Sequence, residues 1–162
     1  MRTVLSASVV MLIAVAASTP AAQRAPFPLT EKLTSLDGTW VHDPARGTGG
    51  ICGVPKADVV TVKVSPSEIA IDASDTQGVI RLDGTQTVLG DGRTATAALD
   101  AGWLAVTMRR ARNGGATNVM RDVYIALGRD LTIWRTLNVE LPDGTQGKID
   151  CGNHWAIVYT RK

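Results

Sequence analysis

Two arginines and two histidines are the side chains whose type and placement in this sequence can do chemistry. Arg121 and Arg135 lie within the stretch from Thr117 to Leu141, which alternates in character with the period-2 pattern of β-strands. It reads as two strands of about eleven residues, each about 36 Å long at ~3.3 Å per residue. A tight turn at Gly128-Arg129-Asp130 joins them. One face carries Val119, Arg121, Val123, Ile125 and Leu127, then Leu131, Ile133, Arg135, Leu137, Val139 and Leu141. That aliphatic face is predicted to be buried. A three-residue turn pairs Val123 with Arg135 and Arg121 with Leu137, which makes the arginines diagonal neighbours. An inward guanidinium is costly unless hydrogen bonds or an anion offset its desolvation. Three resolutions are open: an internal Asp or Glu, a place at a rim where the head reaches water, or a ligand carboxylate held by bidentate donors.

His42 and His154 fall in the first and last predicted strands. A closed barrel makes those strands neighbours, so the pair can approach one another and, with Asp43, offer a metal site or an acid–base pair. Two histidines without a firm third ligand make a poor metal site, and hydrogen-bonded structural histidines are the competing reading. The sequence holds no Gly-x-Ser-x-Gly, no His-Glu-x-x-His and no phosphate-cradling glycine loop with a lysine. It assigns no catalytic group, metal or cofactor. Trp40, Trp103, Trp134 and Trp155 are read as core or rim anchors, with pocket lining as the alternative.

Short strands and turns must position these groups. Thr30-Glu31-Lys32-Leu33 caps and begins one helical turn ahead of Leu36-Asp37. Gly38 to Asp43 is the first strand, stopped by Pro44, and Ala45 to Ala57 is an extended loop. Val59 to Val64 and Ile69 to Asp72 follow, with Ser65-Pro66-Ser67 between them. Val79 to Leu82 and Thr85 to Leu89 flank Asp83-Gly84, a pair suited to a two-residue hairpin turn. Arg93 to Leu99 and Trp103 to Arg110 precede the long hairpin, and His154 to Arg161 is last. Eight to ten short strands without a convincing amphipathic helix argue an all-β, antiparallel up-and-down barrel or a sandwich.

The chain has 162 residues. Arg2, the apolar run Val4 to Ala17 and the small residues after it read as a signal peptide over 1–22, too short to span a membrane. Residues 23–35 form an arm and helical turn, and 36–162 a single domain. The expected location is exported, periplasmic or extracellular. A formal net charge of +2, with no basic tract interleaved with aromatics, does not favour nucleic acid as a partner. In an exported chain Cys52 and Cys151 are expected to form a disulfide. Closing a loop of about 100 residues is worth roughly 4–5 kcal/mol in the chain-entropy picture.

Gly38-Thr39-Trp40 at the head of the first strand, after a short helical turn, resembles the start of a lipocalin. The run from Leu36 to Pro44, Leu82-Asp83-Gly84, the strand after Asp100 and Val158-Tyr159-Thr160-Arg161 are similar to features of bacterial exported lipocalin-like (calycin-type) proteins. Arg121-Asp122-Val123-Tyr124 echoes the second lipocalin signature without matching it. The resemblance spans Leu36 to Lys162. It implies a barrel in which a basic residue, Arg161 or Arg135, packs across Trp40. It also implies a small apolar or amphipathic ligand, anionic if Arg121 and Arg135 face it, with Trp40, His42 and His154 as further candidate lining. Two other functions stay open. One is protease inhibition through the arm Gln23 to Leu29. The other is a small isomerase, cyclase or hydrolase working through His42 and His154.

Overall fold

A computed structural model describes residues 27–47, 57–74, 76–147 and 154–162, the side chain of His154 excepted. The expected signal peptide, the arm before Phe27, Cys52 and Cys151 lie outside the described residues. Among the described residues no helix is long and apolar enough to cross a membrane.

Thr30 caps the helical turn α1 (Glu31–Thr34), its hydroxyl accepting from the Leu33 amide at 3.3 Å. The remaining elements are strands: β1 (Gly38–Gly47), β2 (Val59–Val64), β3 (Glu68–Ala73), β4 (Thr76–Arg81), β5 (Thr87–Val88) and β6 (Thr94–Asp100). Then come β7 (Trp103–Ala111), β8 (Thr117–Leu127), β9 (Asp130–Glu140), β10 (Gln146–Gly147) and β11 (His154–Arg161). They form one antiparallel sheet in the order β4-β3-β2-β1-β11-β9-β8-β7-β6-β5, with β10 added on β9. The sheet curls into a nearly closed barrel. At the seam Thr76 on β4 donates to the Met108 sulfur on β7 at 3.7 Å. Leu89 packs so tightly on Gly78 (φ 154°) that a Cβ there would lie 2.6 Å from its Cδ2.

Three sequence expectations are corrected. Pro44 does not stop β1, which runs on to Gly47; the register slips between His42 and Gly47, and a bulged stretch tolerates a missing amide. Asp83-Gly84 does not join a hairpin, because β5 pairs only with β6. The Asp83 carboxylate instead takes the amide and hydroxyl of Thr85, at 2.9 and 2.6 Å. This bend carries the chain across the seam.

β8 and β9 are joined by the two residues Gly128 and Arg129, with Leu127 opposite Asp130. Gly128 has φ 61°, and a type II′ turn requires that sign at its first central position. A connection one residue shorter than expected changes which β8 residues face the core. Met120, Asp122, Tyr124 and Ala126 point inward, opposite Leu137, Arg135, Ile133 and Leu131. Ile125 and Val123 are only half-buried and Leu127 is exposed.

One end of the barrel is plugged. Leu33, Leu36 and Trp40 are fully buried there beside Val62, Ile69, Ile80, Leu82 and Leu104. The Arg161 guanidinium lies 4.4 Å from the centre of the Trp40 ring and donates to the Ser35 carbonyl at 2.7 Å. The Trp40 indole donates to the Leu36 carbonyl at 3.0 Å. Arg161, and not Arg135, is therefore the base packed across Trp40.

Candidate functional site

The strand directions place the opposite end of the barrel at the tops of β7, β8, β9 and β11. Successive inward residues there form cross-strand rows. One row runs Trp155, Arg135, Asp122, Val106, Ala97, and the next runs Leu137, Met120, Met108, Ala95. The first row holds the polar centre. Arg135 Nε donates to Asp122 Oδ1 at 2.8 Å and Nη2 to Oδ2 at 2.7 Å. Their side chains are 3% and 0% exposed. A fork-on-carboxylate pair gives strong directional hydrogen bonds, and here it stands in a largely apolar interior.

Arg121 and Arg135 thus do not share a face, contrary to the expected register. Arg121 lies opposite Thr136 and Val123 opposite Trp134, all facing outward. The Arg121 guanidinium donates to Asp100 at 2.6 Å, with both side chains about half exposed. Exposed pairs of that kind contribute little to stability.

His42 and His154 are in neighbouring strands, as expected, but at different heights. His42 lies opposite Tyr159, and Tyr159 and His154 are separated along β11 by about 16 Å at ~3.3 Å per residue. The backbone thus sets the two residues at different levels of the barrel. The His42 ring packs on Tyr159, 5.5 Å between centroids and tilted by 59°. Its Nε2 is buried and has no hydrogen-bond partner among the described residues. No group of three His, Cys, Asp or Glu that could hold a metal occurs among the described residues.

The tryptophans divide by role. Trp40 plugs the closed end, and Trp155 (4% exposed) sits opposite Arg135. Trp103 lies under the Lys32 ammonium, 4.9 Å from its ring centre. That ammonium also donates to the Ala101 carbonyl at 2.8 Å, tying α1 to the β6–β7 turn. Trp134 is on the outer surface, 51% exposed. A groove of about 500 Å³ also lies outside the barrel, over β2, β3 and β4, lined by Thr61, Lys63, Ala70, Asp72, Gln77 and Val79.

Sequence reasoning missed Asp122, Met108 and Met120 as interior groups. The signal for Asp122 was present. With Gly128 taken as the first residue of a two-residue turn, Asp122 falls directly opposite Arg135.

Comparison with protein-family models, curated proteins and solved structures gives no match.

Proposed function

We propose that this chain is an exported lipocalin-like barrel that binds a small amphipathic molecule in the end opposite Trp40. The observation that carries the reading is the change in the interior along the barrel axis. The closed end is filled by Trp40, Leu33, Leu36, Ile69, Ile80 and Leu104. Toward the other end the inward positions of β3 and β6 shrink to Ala73, Ala95 and Ala97, while β7 and β8 present Met108 directly opposite Met120. Ala73, Ala95, Ala97 and Met108 belong to one packed core cluster with Met120 against it, so a ligand entering there displaces methionine side chains, which adapt their shape to what fills the space. A few polar groups in an apolar pocket orient a ligand, and the Asp122–Arg135 pair fits that part. Because Asp122 already compensates Arg135, the pair offers a neutral, strongly dipolar floor and not a free cation.

The fold features that favour the lipocalin-like assignment are the α1 turn, the Gly38-Thr39-Trp40 start of β1 and Arg161 over Trp40. Fold alone does not specify function, so the test addresses the interior. The purified chain is titrated with anilinonaphthalene sulfonate, a dye that brightens in apolar sites, and the dye is then displaced with decanoate. Saturable one-to-one binding is expected. Ala97→Phe, or the milder Ala95→Leu, should weaken it while circular dichroism shows the fold retained. Absence of saturable binding, or equal binding by folded filled variants, would contradict the proposal.

A further inference from the structure

Resting on that reading, we infer that the ligand is a single-chain amphiphile with a monoanionic head, and that its charge is taken at the mouth by Arg110 and Arg93 instead of by Arg135 inside. Arg135 has a carboxylate of its own, so a second carboxylate brought to it would meet Asp122 and be repelled. The mouth is arranged differently. Arg110 stands two residues above Met108 on the same face of β7, opposite Asn118, and is exposed. Arg93 reaches the same methionine from the chain before β6, its Nη1 lying 3.8 Å from the Met108 sulfur. It keeps a side-chain exposure of only 15%.

Asp91 is the acidic group between them, accepting from Arg93 Nε at 2.5 Å. Burial pushes the Asp91 carboxyl up, but the Arg93 amide, the Arg93 guanidinium and the charge of Arg110 hold it below the ordinary value. Among the described residues Asp91 pairs with Arg93 while Arg110 has no ion-pair partner, an excess of one positive charge. The neighbouring Arg109 adds nothing to that excess, because Glu140 neutralises it on the outer face at 2.5 Å. A cationic rim above the Met108–Met120 pair is complementary to a molecule with one negative head and an apolar tail. The tail lies along the methionines, and the head stays where water still reaches, which avoids desolvating a charge in the interior.

The test uses decanoate, methyl decanoate and acetate as competitors against the same dye. Decanoate is expected to bind on the order of tenfold more tightly than the ester, the increment of one charge-assisted hydrogen bond. Acetate should not compete. Arg110→Gln should remove most of the preference for the acid and leave ester binding unchanged. Arg110→Lys should keep part of it, and raising salt should weaken only the acid. Equal binding of acid and ester, or a preference untouched by Arg110→Gln, overturns the charged-mouth inference while leaving the barrel a ligand binder. Competition by acetate also overturns it, by showing a bare anion site. Failure of acid and ester alike refutes both readings together.

Discussion

Asp122 and Arg135 face each other directly across the β8–β9 hairpin and form a bidentate ion pair inside the barrel. Burying two charges costs several kcal/mol each, and their attraction repays this only with good geometry. The pair is therefore weak evidence for added stability. It is better understood as a device for register that also places polarity inside the barrel. Sliding one strand by a residue would turn one partner to the outer face and part it from the charge left in the interior.

Arg135→Leu or Asp122→Leu alone should each destabilise the fold by about 3–5 kcal/mol, because each removes the bidentate partner of a buried charge. The double variant should recover most of that loss. Urea denaturation of the three variants measures it. Additive losses in the double variant would show that the two charges are not coupled.

This pair also marks where the sequence was legible and where it was not. The barrel class, the helical turn after Thr30, the buried Trp40 and the inward face of β9 follow from local patterns of capping and alternation. The face of β8 did not. Val123, Ile125 and Leu127 are more aliphatic than Asp122, Tyr124 and Ala126, so hydrophobicity alone favours the wrong face. What decides it is the length of the Gly128-Arg129 turn together with the satisfaction of Arg135 by Asp122, which is a tertiary pairing. The seam was illegible for a related reason. Asp83-Gly84 has hairpin chemistry, yet Leu82 is tied by its amide to the Ser67 carbonyl (2.8 Å) and by its carbonyl to the Phe27 amide (2.7 Å). Those bonds hold the chain out of a hairpin.

Trp40→Ala should cost about 3–5 kcal/mol, the usual range for deleting a buried aromatic side chain. Arg161→Leu should cost less, since its cation–π contact is worth about 0.5–2 kcal/mol and its bond to Ser35 adds to that. Chemical denaturation separates the two. A Trp40→Ala variant as stable as the parent would contradict its place in the plug.

Acid should weaken the fold through particular carboxylates. The Thr85 hydroxyl and amide hold the Asp83 carboxyl below its ordinary value of 3.8, and the Arg46 hydrogen bond does the same for Asp130. A depressed folded pKa contributes stability that is fully present above the ordinary value and lost as pH falls through the folded one. Melting temperature should therefore be flat near neutrality and decline below about pH 4. Asp83→Asn and Asp130→Asn should shallow that decline. A decline of unchanged steepness in both variants would exclude these two carboxylates as its source.

The proposed function requires a ligand in the interior at Met108 and Met120. A chain beginning at Gln23 carries just these two methionines, so carbon-13 labelling of methionine methyl groups gives one reporter on each side of the site. Titration with decanoate followed by methyl NMR should shift both resonances along one saturable curve, and Ala97→Phe should suppress the shifts. Resonances unmoved at saturating decanoate would contradict the account.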